Sequence, residues 1–567
     1  MRWDDLQWGT TLLVWILAYC QVGQAMRPSV AWYTSLRNHA GPRLLPDEAP
    51  TPTPSNATYQ LNTLEQPLDH FGSSTQTTFL QHYALWMDDF HAGSALRTKT
   101  PDGREIVPVF VHDTGESTLA QEAQHYNSTI LKTLASKTGG IGIFLEHRYY
   151  GQSQPRLSDL GNATTWGVDQ LQWLNLEQSL EDSVQFLQKV QLPDLPPNAD
   201  VRFLYHGGSY AGGRAAFLRT RHPDLVFGAI STSGVVAPTV ELPNYYYSIV
   251  ENSDPICMQN LQAAIGEIDQ VITPDPRKGS NQTDLDTAKV AALLHLFGLT
   301  DDVDLTDFAN ALTAPLSAFQ MQTWQADRPE SPWNVFCDTM KNASLAGMIK
   351  ADFMQDWVTL GNVSDGLLSY SAYFRSVMNG ECQGKDLTAC VQARPDEFRD
   401  DQGQLSANKA WYYQTCTEYG LFQTAPPMPD VTASPPHLSG PKIVSSRLDV
   451  NYSQQLCQRG FTPGQKATMP PYPNVTKVLQ YGNVHLAYDR LAFINAQRDP
   501  WLPVTVHSNE YAFGGARNST TMRPFLFIPD CWHTCDWIIN TDLANEPDNV
   551  KSVQQTELQF VQEWLKA

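Results

Sequence analysis

VRFLYHGGSYAGGRAAFLRTRH, residues 201–222, surrounds Ser209 with glycine and alanine residues between two segments of different character. Residues 201–206 form an apolar run that favours a buried strand, and the Arg-, Ala- and Leu-rich run that follows the glycines favours a helix ending before Pro223. The backbone of a sharp strand-to-helix turn passes close to neighbouring strands, so only very small side chains fit around it. The stretch therefore predicts such a turn, with Ser209 at its tip.

The same stretch matches the G-x-S-x-G nucleophile elbow, except that Ala211 replaces the last glycine. A glycine-rich turn of a nucleotide-binding fold is the alternative interpretation. An elbow predicts an acid and then a histidine after later strands, and Asp499 and His533 follow the strand-like runs 490–495 and 524–529. We expect His533 to be the general base and Asp499 to orient its ring.

Other acids and histidines near the end of the chain are weaker candidates. Asp530 and Asp536 are too close to His533 in sequence to reach the side of its ring that faces away from the serine. His485 and His507 do not directly follow a strand.

Two backbone N–H groups are needed to stabilise the oxyanion of an acyl-transfer reaction. One is expected from Tyr210, directly after the serine, and the other from Gly115 or Glu116, in the loop after the strand-like run 106–113. An ordinary turn in which Glu116 caps the next helix is an equally good interpretation of that loop.

Strand-like and helix-like runs alternate from about Tyr59, as expected for βαβ units and a parallel sheet. The predicted strands are 106–113, 141–147, 201–206, 225–234, 477–482, 490–495 and 523–529, and the predicted helices are 174–190, 284–299, 304–319 and 550–567. The fold class is therefore α/β, with a catalytic domain of mostly parallel sheet (59–240 and 450–567) split by a mostly helical, disulfide-stapled cap (241–449).

The N-terminal part of the chain has the composition of a secretory leader. Residues 10–22 are apolar but too few to span a bilayer comfortably, which predicts a signal peptide over 1–25, with an uncleaved anchor as the alternative. Residues 26–58 are rich in Pro, Ser and Thr and predict a flexible leader. No later segment reaches the length of a membrane span, so no stable membrane insertion is expected after cleavage.

Charge and cysteine content limit the possible partners and compartment. The net charge of −21 argues against nucleic acid or an anionic membrane as partner. Eight cysteines remain beyond the predicted signal, and an even number in a secreted chain predicts disulfides. A metal site at Cys531, His533 and Cys535 is a minor alternative, and neither a metal nor a cofactor is expected. Nine N-glycosylation sequons agree with secretion, at Asn56, Asn127, Asn162, Asn281, Asn342, Asn362, Asn451, Asn474 and Asn518.

Several motifs recur in the order of one known family. They are LDHFG (68–72), EHRYYG (146–151), GGSYAGG (207–213), WYYQTCTE (411–418) and DPW (499–501). Together they resemble the secreted and lysosomal serine peptidases of the prolyl carboxypeptidase and dipeptidyl peptidase II type, including fungal relatives. The resemblance implies an α/β-hydrolase core with a helical cap, cleavage after proline, and a triad at Ser209, Asp499 and His533. Two departures concern Ala496, where the family usually has glycine, and the residues around His533.

A pocket for proline needs an aromatic wall, because the ring of proline is apolar and rigid. Trp501 is the first choice and Trp537 the second, with core packing as the alternative for both. Glu418, with Glu146 and Arg148, is a candidate for holding a substrate terminus, and a buried structural ion pair is the alternative.

The function predicted from these features is hydrolysis of proline-containing peptides by a secreted protein, with vacuolar or lysosomal placement as the alternative. A general serine carboxypeptidase, an esterase or acyltransferase on the same scaffold, and an inactive binding protein are the competing hypotheses. Carboxypeptidase, aminopeptidase and endopeptidase modes stay open, as does a homodimer.

Overall fold

The structure is a computed structural model of the chain. It describes residues 59–72, 76–91, 93–161, 163–275, 283–322, 331–361, 363–382, 386–392, 403–426, 442–509, 517–538 and 546–566. The predicted signal peptide and leader, residues 1–58, lie outside the described residues.

One eight-stranded sheet organises the fold. Its strands are β1 Gln60–Pro67, β2 Thr78–Trp86, β3 Ile106–Asp113, β4 Ile141–Leu145, β5 Asp200–Gly208, β6 Val226–Thr232, β7 Leu491–Ala496 and β8 Phe525–Ile528. Their spatial order is β1-β2-β4-β3-β5-β6-β7-β8. The first two pairings, β1 with β2 and β2 with β4, are antiparallel, and all the others are parallel. The predicted α/β-hydrolase fold, with a mostly parallel sheet, is confirmed.

Helices cover both faces of the sheet and bury alternate residues of its strands. Val107, Val109 and Val111 face one core, whereas Ile106 and Phe110 face the other. All eight residues of β3 are buried, which explains why the central parallel strands read as continuous apolar runs. The helices outside the insertion are α1 Leu119–Ala123, α2 Ile130–Thr138, α3 Val168–Leu171, α4 Leu176–Lys189, α5 Ser209–Arg221 and, at the end of the chain, α19 Asp548–Lys566.

The segment between β6 and β7 is mostly helical in its described parts. Its helices are α6 Asn244–Glu251, α7 Pro255–Ile272, α8 Asp284–Leu296, α9 Leu305–Ala311, α10 Ser317–Gln320, α11 Pro332–Met340, α12 Ala343–Asp352, α13 Met354–Leu360, α14 Asp365–Glu381, α15 Leu387–Val391, α16 Ala407–Gln414, α17 Val450–Gly460 and α18 Thr476–Leu479. A π-helical turn, Thr415–Tyr419, continues α16. The cap boundaries at 241 and 449 stay predictions.

All eight cysteines beyond the leader form disulfides, as predicted. Three of the four pairs lie in the insertion or connect its helices, and the fourth encloses His533: Cys257–Cys337, Cys382–Cys390, Cys416–Cys457 and Cys531–Cys535. Within the described residues, no group of three or more His, Cys, Asp or Glu side chains is arranged to hold a metal ion. None of the helices in that part of the chain is long and apolar enough to cross a membrane.

One predicted strand is wrong. Residues 477–482 do not pair in the sheet, and α18 occupies the start of this run. Val478 alone is fully buried there, whereas a half-buried strand would bury alternate residues. A short apolar run does not by its periodicity distinguish a helical turn from a strand.

Candidate active site

Ser209 is the first residue of α5 and follows directly on β5. Its φ of 56° is left-handed, a strained conformation for a residue other than glycine. The neighbouring glycines leave room for this turn: a Cβ on Gly207 would lie 2.2 Å from the carbonyl oxygen of Ala211, and a Cβ on Gly213 would lie 2.2 Å from that of Val235. Small residues crowd this stretch because backbone occupies the space of their missing side chains.

A buried carboxylate and a histidine meet beyond the ends of β7 and β8. His533 Nδ1 lies 2.9 and 2.8 Å from the two carboxylate oxygens of Asp499, and neither residue is more than 9 % exposed. Asp499 Oδ1 also accepts the backbone N–H of Trp501 at 2.9 Å. This geometry fixes the ring with Nδ1 as donor and Nε2 as the basic nitrogen.

The rival acids and the rival histidine His507 have other partners. Asp530 is exposed and pairs with Arg498 at 2.8 Å. Asp536 is buried and accepts the Thr232 hydroxyl at 2.8 Å, and burial raises its pKa to about 7. His507 Nδ1 lies 2.7 Å from Asn495 Oδ1.

The histidine loop lies against the elbow. A Cβ on Gly208 would be 3.3 Å from the methyl group of Thr534, so the residue before Ser209 packs on the residue after His533. The loop after β6 connects the two: the Thr534 N–H donates to Ser233 Oγ at 3.0 Å, and the Val235 N–H donates to the Ser209 carbonyl at 3.1 Å. Asp499 and His533 are thus in contact, and the residue after His533 packs on the residue before Ser209.

The loop after β3 packs on the same elbow, but one of its two candidate amides is engaged. Gly115 has a φ of 58° and lies against Ala211, and its N–H donates to Asp113 Oδ1 at 2.9 Å. Asp113 is in turn held by the Tyr205 hydroxyl at 2.9 Å and by the Arg214 guanidinium. The Gly115 amide therefore supports the loop, and Glu116 is the better of the two oxyanion candidates.

Three of the recurring motifs meet at the side chain of Tyr210. His147, from EHRYYG, lies with Nε2 2.9 Å from the Tyr210 hydroxyl, and Gln414, from WYYQTCTE, donates to the same oxygen at 2.8 Å. Tyr150 completes the chain by donating to Gln414 Oε1 at 2.7 Å. Burial holds the pKa of His147 well below its usual value, and its Nδ1 donates to the Arg148 carbonyl, so its neutral Nε2 accepts from Tyr210. Sequence reasoning missed these contacts, although the motifs that contain them were visible.

The charged residues of these motifs have structural partners. Glu146 accepts the N–H groups of Leu119, Gln152 and Ser153 and the Ser153 hydroxyl, and burial raises its pKa to about 7. Arg148 pairs with Asp182. Arg148 therefore forms a buried ion pair with Asp182, whereas neutral donors hold the Glu146 carboxylate.

Glu418, predicted to bind substrate, is also used structurally. Its carboxylate accepts the N–H of Leu176 at 2.7 Å, at the N-terminus of α4, and burial raises its pKa to about 7. Only 3 % of the residue is exposed. We therefore remove Glu418 from the set of substrate-binding candidates.

The two tryptophan candidates lie on opposite sides of the sheet. Trp501 belongs to the core shared with the cap, and its ring centroid is 6.4 Å from that of His533. Trp537 packs in the other core, where it stacks on His112 and His206 with centroids 4.2 and 4.6 Å apart. Core packing therefore accounts for Trp537, and Trp501 is the candidate whose ring lies near His533.

A cap residue that the sequence did not indicate orients Trp501. Gln320, at the end of α10, accepts the indole N–H of Trp501 and the hydroxyl of Tyr245, each at 2.8 Å. Because both partners donate, the oxygen of the carboxamide must face them, and Nε2 must point the other way. Nε2 is buried with no hydrogen-bond partner among the described residues.

An elbow serine on a mostly parallel sheet, with a buried carboxylate–histidine pair after later strands, has the form of a serine hydrolase of the α/β-hydrolase class. The family model for serine carboxypeptidase S28 matches residues 66–513. The chain belongs to this family and is a serine-type peptidase. The match includes Ser209 and Asp499, whereas His533 lies beyond it.

Curated relatives agree with the family. A "probable extracellular serine carboxypeptidase" of Arthroderma benhamiae is 29 % identical over 540 residues, 90 % of this chain and 68 % of the relative. The "lysosomal Pro-X carboxypeptidase" of Bos taurus is 22 % identical over 555 residues, 95 % of this chain and 91 % of the relative. Among solved structures, the proline iminopeptidase of Mycobacterium smegmatis aligns with 89 % of this chain and 99 % of its own, at 9 % identity and a TM-score of 0.31.

Proposed function

We propose that the chain hydrolyses peptide bonds after proline, with Ser209 as nucleophile, His533 as general base and Asp499 as the group that orients the histidine. The observation that carries the proposal is the double contact of Asp499 with His533 Nδ1. The residue after His533, Thr534, packs on the elbow. His533 Nε2 takes the proton of the Ser209 hydroxyl as its oxygen attacks the scissile carbonyl carbon. The protonated ring then gives the proton to the leaving amine, and water releases the acyl group from the serine.

The oxyanion of this reaction is stabilised by the amides of Tyr210 and Glu116. Tyr210 is the second residue of α5, and the first N–H groups of a helix have no partner within it. Glu116 comes from a loop that the Asp113–Arg214 ion pair anchors to α5, so the two donors are held by the same helix.

The preference for proline comes from Trp501. Its backbone N–H donates to Asp499 and its indole N–H donates to Gln320, so both backbone and ring are held and the ring offers a fixed apolar face beside His533. The name of the Bos taurus relative, a Pro-X carboxypeptidase, supports the same specificity.

The protein acts in a secretory compartment or outside the cell. Four disulfides suit an oxidising medium. Five of the nine sequons lie in the described residues, and all five asparagines are exposed and open to glycosylation: Asn127, Asn342, Asn451, Asn474 and Asn518.

The test combines active-site labelling with peptide profiling. Purified protein is treated with a fluorophosphonate and then incubated with a peptide library at several pH values from about 4 to about 7. We expect labelling at Ser209 and cleavage after proline, with both lost in Ser209→Ala and His533→Ala. His507→Ala is the matched control, because this buried histidine pairs with Asn495 instead of Asp499.

Each other outcome has a definite meaning. Cleavage without preference for proline would favour a general serine carboxypeptidase, and labelling with hydrolysis of esters alone would favour an esterase. Absence of labelling would favour a binding protein and overturn the proposal.

A further inference from the structure

The histidine loop contains the smallest covalent ring of the described chain. Cys531 and Cys535 are bonded to each other with a sequence separation of 4, and His533 lies at the centre of the five residues. Both cysteines are buried, with 0 and 4 % of their surface exposed.

This disulfide is poorly suited to stabilising the whole fold. The entropy that a disulfide removes from the unfolded chain grows with the loop it closes. The other three pairs have separations of 80, 41 and 8 residues. The Cys531–Cys535 bond therefore contributes least to global stability, and its main effect is to restrict the residues inside the ring.

Those residues are tied to both halves of the site. The carbonyl of Cys531 accepts the N–H of Arg498 at 2.8 Å, next to Asp499 in sequence. On the other side of the histidine, the N–H of Thr534 donates to Ser233 Oγ beside the elbow. Thr534 has a φ of 51°, a left-handed conformation that a β-branched residue adopts only under constraint.

We propose that the Cys531–Cys535 disulfide is a positioning element that holds His533 between Asp499 and Ser209. The inference rests on the catalytic role proposed for these three residues. Without the bond, the segment can relax its left-handed backbone, and the imidazole then occupies the productive geometry for only part of the time. A displacement of about 1 Å at a reacting group can cost about 100-fold in rate.

The test compares two disulfide-free variants by kcat, KM and the rate of fluorophosphonate labelling. In Cys531→Ala/Cys535→Ala we expect kcat and the labelling rate to fall about 10- to 100-fold, with KM within about threefold of wild type. Cys382→Ala/Cys390→Ala is the matched control, because it removes the other short-range pair, within the insertion. It should keep kcat within about threefold while its thermal midpoint falls at least as much, since its loop is longer.

His533→Ala separates failure of this inference from failure of the proposed function. If His533→Ala keeps its activity, the proposed triad is wrong. If His533→Ala is inactive but Cys531→Ala/Cys535→Ala keeps kcat within about threefold of wild type, the positioning role alone is overturned.

A second measurement uses the folded wild-type chain and reduces its disulfides, so that the test does not depend on whether the double variant folds. A dithiol transfers two electrons and two protons to a disulfide and becomes a cyclic disulfide itself, and alkylation then marks the two new thiols. Mass spectrometry follows each cysteine pair as activity declines. Loss of activity in step with alkylation of Cys531 and Cys535 supports the proposal, and full activity after their alkylation overturns it.

Discussion

Glu557 on α19 gives the sharpest test of how buried carboxyl groups shape stability. The residue is fully buried, and neither carboxyl oxygen has a hydrogen-bond partner among the described residues. Burial, together with the nearby Asp536 carboxylate, raises the pKa of Glu557 well above its ordinary value of 4.5. We predict that Glu557→Gln becomes progressively more stable than wild type as the pH rises.

The sign and size follow from proton linkage. At pH values above the ordinary glutamate pKa, Glu557 has lost its proton in the unfolded chain but keeps it in the folded chain. Stability that is present at low pH is therefore lost as the pH rises towards the folded pKa. Each pH unit over which the folded chain keeps the proton and the unfolded chain has lost it costs about 1.4 kcal/mol. Glutamine has nearly the same shape and no proton to lose, so the variant escapes this loss.

Urea unfolding followed by tryptophan fluorescence, with the disulfides intact, measures the difference between variant and wild type at each pH. Comparing the two chains removes the contribution of the buried histidines, which is opposite in sign: burial lowers the pKa of His206 to about 3, for example. Glu563→Gln, at an exposed position of the same helix, is the control. A Glu557→Gln difference that stays constant within about 0.5 kcal/mol from pH 5 to pH 7 would refute the reasoning.

Substitutions at three further positions test the proposed pocket wall and the elbow support. Trp501→Ala should lower the kcat/KM preference for proline over alanine before the scissile bond by about 10- to 100-fold, measured with paired peptides. Gln320→Leu should lower the free energy of unfolding by about 2–4 kcal/mol in urea, because Trp501 and Tyr245 lose their buried acceptor, whereas Gln320→Glu should lose less than half of that. Tyr210→Phe should cost about 1–3 kcal/mol in thermal unfolding, since His147 loses its partner, while kcat stays within about threefold because the backbone amide remains.

Much of the core could be predicted because its signals are local. The apolar run 106–113 corresponds to β3 residue for residue, and the runs 201–206 and 490–495 match β5 and β7 to within two residues. These strands are buried on both faces, so nearly every position must be apolar. Strand β1 escaped notice because it is an edge strand in which only Gln66 is buried, and its sequence QLNTLEQP looks polar.

Residues of the candidate site were predictable only where their position after the end of a strand determines where they lie. Asp499 and His533 were found because parallel strands bring their carboxyl ends to one edge of the sheet. The role of Gln320 was not predictable, because α10 and Trp501 are 181 residues apart and nothing in the sequence of the insertion indicates which residue reaches the wall. The bond from the Gly115 amide to Asp113 was not predictable, because the sequence does not show which way the Asp113 side chain turns.

Three of the recognisable motifs therefore support the elbow, whereas the proposed wall of the proline pocket combines Trp501, from the DPW motif, with residues of the insertion. His147, Tyr150 and Gln414 come from motifs far apart in sequence, yet they form one hydrogen-bonded chain on the Tyr210 hydroxyl, with every donor and acceptor direction fixed. Such a chain supports the elbow and does not depend on which peptide is cleaved. The residues beside Trp501 come from the insertion, where packing constrains only burial. Substitutions in the insertion that preserve packing should therefore change which substrates are accepted more readily than they change whether the serine reacts.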